Sequence, residues 1–249
     1  MGRIEQNTDM ANVADTAVVT GSSSGIGLAL SRMLVKNGYE VFGFGRNFER
    51  AEAQEFCKEQ PEKFHAVFCD ITDTQALCAH IKEIDKNYRV TVLVNNAGVG
   101  YYGLHEELNP KKIQKMVRTN LEAPMILTQQ LLRTLKKNRG TVLNISSVTA
   151  AQSNPHGCAY GATKAGLSGF AKSLFDEVRK YGVRVITIQP DMAKTDLYRN
   201  ADFCEGEEEA SYLLPEEVAE AAAFALAQRE GLVVTEITVK PQFHRIRRK

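Results

Sequence analysis

The segment that most limits what this chain can fold into is Thr16-Ala-Val-Val-Thr20 and what directly follows it, Gly21-Ser-Ser-Ser-Gly25-Ile-Gly27. Five residues rich in β-branched side chains read as a short strand. Beyond the glycine cluster, Ile26, Leu30, Met33 and Leu34 recur at helical spacing, and Gly38 is placed to end that helix. A strand that passes through a glycine loop straight into a helix is a specific arrangement. Gly21 suits the tight turn, Gly25 lets backbone approach a phosphate, and Gly27 allows the helix to pack closely on the strand. Backbone amides at the start of the helix, with its dipole, would hold a pyrophosphate. The candidate cradle is Gly21, Ser23, Ser24, Gly25, Ile26 and Gly27.

The rest of the chain repeats the alternation. Further strands are expected at Glu40 to Gly45, Phe64 to Cys69, Val90 to Val94, Thr141 to Ile145, Val183 to Ile188 and Val233 to Val239. Between them lie helical patterns at Arg50–Glu59, Thr74–Asn87, Pro110–Lys136, Tyr160–Lys180 and Pro215–Gln228. Strands alternating with helices imply βαβ units and a parallel sheet covered on both faces. The fold class is therefore α/β: a doubly wound, Rossmann-type parallel sheet of about seven strands. No repeat or low-complexity linker divides the chain, so residues 14–249 are expected to form one domain behind a flexible leader at 1–13. In such sheets ligands bind beyond the carboxyl ends of the strands, at the point where strand order reverses.

Composition excludes several classes. With 31 Lys and Arg against 30 Asp and Glu, the chain has no net field to gather nucleic acid or an anionic membrane. No apolar run reaches the length of a membrane span, and Met1 to Asn12 lacks the apolar core of a signal peptide. The five cysteines have no metal-ligand spacing, and their odd number argues against a disulfide framework, so the expectation is a cytoplasmic protein without a metal. Cys158 reads as a small packing residue. The acidic run Glu205 to Glu209 and the basic end His244 to Lys249 read as solvated segments.

Tyr160 and Lys164 carry the chemistry. At i and i+4 they share one helix face. A phenol with its usual pKa of about 10 is a poor acid–base catalyst at neutral pH, and a nearby ammonium favours the phenolate. A lowering by roughly three pH units would place it where general acid–base catalysis works best. Ser147 could hydrogen-bond a substrate oxygen from the opposite side. After the second strand, an acidic residue would bind a ribose 2′-hydroxyl, whereas an arginine accommodates a 2′-phosphate. That position has no carboxylate and is followed by Arg46, which points to NADP(H).

Taken together, these motifs resemble the short-chain dehydrogenase/reductase family, single-domain type, over about Thr16 to Pro241. The resemblance matches the family's glycine pattern to Thr20–Gly27, its adenine-binding Asp to Asp70 (followed by Ile71), and its Asn-Asn-Ala-Gly segment to Asn95–Gly98. It implies catalytic roles for Asn120, Ser147, Tyr160 and Lys164. Tyr160 would exchange a proton with a carbonyl or alcohol oxygen. Lys164 would bind the nicotinamide ribose and lower the phenol pKa, Ser147 would orient the substrate oxygen, and Asn120 would hold a water in a proton relay. Asn96, Ala97 and Gly98 would pack along the cofactor, and Asn95 reads as structural bonding between strands. Pro190 and Thr195 would flank the nicotinamide. Where the family commonly has Pro-Gly, this chain has Pro190-Asp191.

The resemblance also implies a homodimer or homotetramer built through the helices at Pro110–Lys136 and Tyr160–Lys180. A substrate lid is expected at about 193–214, with Leu197, Tyr198, Phe203, Tyr212 and Leu213 as apolar contributors, joined by Tyr101 and Tyr102. The expected activity is NADP(H)-dependent hydride transfer on a small carbonyl or secondary alcohol. Alternatives are a 3-oxoacyl-thioester reductase, a hydroxy-acid dehydrogenase, or an NADP-sensing binding protein without turnover.

Overall fold

The structure is a computed structural model and describes residues 14–249; the leader expected at 1–13 lies outside the described residues. Among the described residues nine strands appear: β1 (Thr16–Thr20), β2 (Glu40–Gly45), β3 (Phe64–Phe68), β4 (Val90–Asn95), β5 (Thr141–Ile145), β6 (Arg184–Pro190), β7 (Phe203–Glu205), β8 (Glu236–Val239) and β9 (Ile246–Arg248). Seven of them form one sheet in the order β3-β2-β1-β4-β5-β6-β8, every neighbour pair parallel. Strands β1, β4 and β5 are buried along their whole length, which is why their sequences are mostly apolar, with Thr and Asn at the remaining positions, rather than alternating.

The helices are α1 (Gly25–Lys36), α2 (Ala51–Glu59), α3 (Thr74–Asn87), α4 (Pro110–Val117), α5 (Ala123–Asn138), α6 (Cys158–Val178) and α7 (Pro215–Leu226). On one face, Leu28 and Leu34 of α1 pack with Ala219 and Ala222 of α7 against Val19 and Ile188. On the other, Leu77 and Ile81 of α3, Leu127 and Leu131 of α5 and Leu174 of α6 cover Val18, Leu93 and Val142. The sheet is thus the middle of three layers. Strand order reverses between β1 and β4, so the loops leaving these two strands open a crevice at their carboxyl ends.

Three expectations need correction. The pattern at 110–136 is not one helix: α4 and α5 are separated by a widened π-turn at Arg118–Glu122. Pro124 explains the break, since it lacks an N–H and its ring crowds the carbonyl four residues earlier, that of Asn120. The last strand is shorter than Val233 to Val239, beginning at Glu236. Finally, β7 and β9 form a separate antiparallel pair, so neither the acidic run nor the basic end is a free solvated segment.

Candidate active site

The glycine loop leaves β1 in the shape its sequence anticipates. Gly21 and Gly25 take positive φ values of 70° and 53°. Gly27 sits where an added Cβ would lie 2.0 Å from the Gly21 carbonyl oxygen, so only glycine lets α1 pack this tightly on the turn. Ser24 stands at the N-cap in extended conformation but makes no side-chain cap bond, and the first turn carries no acidic residue. The leading amides of α1 are therefore left for an anion in the crevice. Thr20 ties this loop to the one after β4: its hydroxyl accepts from the Asn96 and Ala97 amides at 3.0 Å each, and the Asn96 side chain donates to the Thr20 carbonyl at 2.8 Å. Asn95 points the other way and donates to the Asn144 side chain at 2.9 Å, a bond between β4 and β5.

One cleft collects the expected residues. Its walls include Gly21, Ser23, Ser24, Gly25, Ile26, Gly27, Arg46, Asp70, Ile71, Asn96, Ala97, Gly98, Ser147, Tyr160, Lys164, Pro190 and Thr195. At the outer end, Asp70 accepts from the Thr72 amide at 2.9 Å and the Thr72 hydroxyl at 2.8 Å. Burial opposes its ionisation, but these bonds and the cations Arg46 and Lys115 hold its carboxyl below the usual range. Lys115, from α4, was not foreseen. Nothing in its local sequence marks it, because only the crossing of α4 over the crevice brings it to the wall.

At the inner end, β5 leads into Ser147 and α6 presents Tyr160 and Lys164, each only 4% exposed. The Lys164 ammonium donates to the Ile145 carbonyl at 2.7 Å and lies 5.8 Å from the Tyr160 ring centre. The expected drop in the phenol pKa does not occur. Burial pushes Tyr160 up to about 12, with a Ser147 hydrogen bond working in the opposite direction, and burial pushes Lys164 down to about 8. Desolvation governs both shifts because both groups are buried, and the ammonium is turned to a backbone carbonyl.

Asn120 stands behind the cleft rather than in its wall. Its side chain accepts from the Val99 amide and donates to the Val99 carbonyl, both at 2.9 Å, and donates to Thr163 at 3.1 Å. The side chain is thereby committed to bracing the β4 loop against α6. Its backbone carbonyl, by contrast, has no i+4 amide to accept from, because that residue is Pro124.

Asp191 keeps the turn intact. Its amide donates to Val239 of β8 at 2.9 Å, its carboxylate caps the Met192 amide at 2.9 Å, and it does not adopt positive φ. No glycine is required there. Leu197 and Tyr198 join the cleft wall, and the Phe203 and Tyr102 rings lie tilted against Tyr198. Leu213 goes to the core instead, and the Tyr212 ring faces Lys194. Cys158, expected as a packing residue, is exposed at the start of α6.

Residues 15–203 match the sequence model of the short chain dehydrogenases. The chain belongs to the short-chain dehydrogenase family. Like its relatives, this short-chain dehydrogenase is an oxidoreductase acting on CH–OH or C=O groups with a nicotinamide cofactor. It is 38% identical over 186 residues, 74% of each chain, to the serine 3-dehydrogenase of Agrobacterium fabrum. Among solved structures it is similar to an alcohol dehydrogenase from the archaeon Thermococcus sibiricus complexed with 5-hydroxy-NADP (TM-score 0.83, 27% identity, 93% of this chain and 98% of that one). It is also similar to the 3-ketoacyl-(acyl-carrier-protein) reductase of Brucella melitensis complexed with NADH (TM-score 0.81, 26% identity, 90% and 96%).

Proposed function

We propose that this short-chain dehydrogenase uses NADP(H) and works chiefly as a carbonyl reductase, with Tyr160 as the proton donor. The observation that carries this reading is the buried Ser147, Tyr160 and Lys164 constellation opening onto the same cleft as the glycine cradle. When bound, the nicotinamide supplies or accepts the hydride; the residues handle orientation and the proton. A phenol held up at about 12 is protonated at neutral pH, which is the acid form that reduction requires. Ser147 donates to the oxygen that becomes negative as hydride arrives. Lys164 offers a cation at the inner end of the cleft for the ribose hydroxyls and for the phenolate left after proton donation. The Asn120 carbonyl, deprived of its helical partner by Pro124, accepts from a water that returns a proton to this end of the site.

The cofactor assignment rests on Arg46 at the end of β2, with Lys115 as a second cation around Asp70 and no carboxylate in the 2′-hydroxyl position. Serine 3-dehydrogenase and 3-ketoacyl reductase both name position 3 as the reacting carbon, which favours 3-oxo and 3-hydroxy compounds as substrates. Ala162, Ala165 and Gly169 are exposed small residues on α6 that suit a homodimer or homotetramer contact, measurable by light scattering. A reducing, cytoplasmic setting suits the five free cysteines. Among the described residues, no helix is long and apolar enough to cross a membrane.

The test is nicotinamide absorbance with NADPH and NADH against simple ketones, 3-oxoacyl thioesters and 3-oxo acids, with serine and other 3-hydroxy acids in the reverse direction. Faster turnover with NADPH on a carbonyl compound is expected. Tight NADPH binding with no turnover on any of them would instead identify a cofactor-sensing protein.

A further inference from the structure

The segment Phe243–Lys249 returns to the substrate end of the cleft and pairs with the lid. Strand β9 runs antiparallel to β7, with Phe203 opposite Arg248, Cys204 opposite Arg247 and Glu205 opposite Ile246. Backbone bonds extend the pairing on both sides: Gly206 N–H to Arg245 O at 3.0 Å, Lys249 N–H to Asp202 O at 2.8 Å, and Phe243 N–H to Ala210 O at 2.9 Å. The alternation of an antiparallel ladder puts Cys204 and Arg247 in the same hydrogen-bonded set as the first two of these pairs. Side chains follow the same course. Arg245 pairs with Glu208, Arg247 with Glu207 at 3.2 Å, and the Lys249 ammonium donates to the Tyr198 carbonyl at 2.6 Å. His244 reaches to 3.6 Å from the Asp191 carboxylate in the cleft wall.

What this pairing holds in place are rings. Phe203 on β7 lies 5.2 Å from Tyr102 and 5.5 Å from Tyr198, centre to centre, and Tyr102 lies 5.6 Å from Tyr160. A direct line of contact therefore runs from β9 through β7 to the buried phenol. A three-residue strand such as β7 has no stability alone, and it is joined to no other strand among the described residues. The ion pairs are exposed and screened by water, so the backbone ladder is the stronger part of the clasp.

We propose that Phe243–Lys249 is a strap that positions the lid. By pairing with β7 it holds Tyr198 and Phe203 over Tyr102 and Tyr160, and so shapes the substrate end of the cleft. Arg247, through its place in the ladder, is a positioning residue and touches neither substrate nor cofactor. The kinetic half of this proposal rests on the carbonyl-reductase reading above; the structural half does not.

The test compares the full chain with a chain ending at Gln242, with Arg247→Pro and with Arg247→Ala. Proline removes a ladder donor, whereas alanine removes only the side chain. In the shortened chain and in Arg247→Pro, hydrogen exchange of the 197–206 amides is expected to speed up by about tenfold or more, with β1 unchanged. KM for the carbonyl substrate should rise by about tenfold while NADPH affinity holds, and Arg247→Ala should stay near wild type. Unchanged exchange in the shortened chain overturns the strap. Faster exchange with an unchanged KM overturns its role in positioning, as does a parallel loss of NADPH affinity, which would mark a general structural support. If the full chain reduces no carbonyl compound, the functional reading fails, while the exchange measurement still decides whether the strap exists.

Discussion

Gly27→Ala is the sharpest probe of how the fold builds the cofactor site. The added methyl carbon would lie 2.0 Å from the Gly21 oxygen, 2.6 Å from the Gly21 carbonyl carbon and 2.4 Å from the Asn96 side-chain nitrogen. Ordinary contact begins near 3.4 Å, so the helix start and the glycine turn must separate by more than about 1 Å. Neither side yields easily. The turn is locked to the β4 loop through Thr20 and Asn96, and α1 is backed by α7. Overpacking of this kind costs about 3 kcal/mol, readable as a shift in urea unfolding midpoint. Moving the leading amides by that distance should weaken NADPH binding by about a hundredfold in a fluorescence titration. Gly38→Ala is the control: its φ of 89° is strained for alanine, but the added carbon meets nothing within 4 Å, so some stability is lost and cofactor affinity is not. Wild-type NADPH affinity in Gly27→Ala would refute the close-packing argument.

Three further outcomes follow from named groups. Lys164 is held near 8 in the fold against 10.5 unfolded, so between these values the unfolded chain binds the extra proton and stability rises with pH. Relative to Lys164→Met, the wild type should gain about 3 kcal/mol from pH 7.5 to 10.5, the penalty being fully present below pH 8; parallel stability curves would show that the ammonium is not desolvated. Arg46→Ala should weaken NADPH binding by roughly tenfold to a hundredfold and leave NADH unaffected, and an NADH preference in the wild type would overturn the cofactor assignment. Pro124→Ala restores an amide to α5, and it should lower turnover while leaving cofactor affinity alone; unchanged turnover would remove the Asn120 carbonyl from the proton path.

The sheet was legible because strands buried on both faces leave short runs rich in Val, Leu and Ile, and Val90 to Asn95 or Thr141 to Ile145 cannot easily be read as anything else. The cleft was legible for a related reason: glycine turns and the Tyr160–Lys164 spacing are local patterns that the fold then gathers. What escaped depended on contacts distant in sequence. Phe203 to Glu205 and Ile246 to Arg248 are too short and too polar to announce strands, and each is a strand only because of the other. Lys115 reaches Asp70 solely through the path of α4. The spacing of Tyr160 and Lys164 established that they are neighbours but not how deeply they are buried, and burial decides the direction of both pKa values. The break at 118–122 did have a visible cause in Pro124, which the helical periodicity around it obscured.

The central claim is that Tyr160 delivers the proton during hydride transfer, and Tyr160→Phe tests it with the ring and its packing retained. Carbonyl reduction with NADPH should fall by about a hundredfold to ten-thousandfold in kcat/KM, with NADPH affinity within twofold of wild type. Undiminished reduction by the phenylalanine variant would contradict the account.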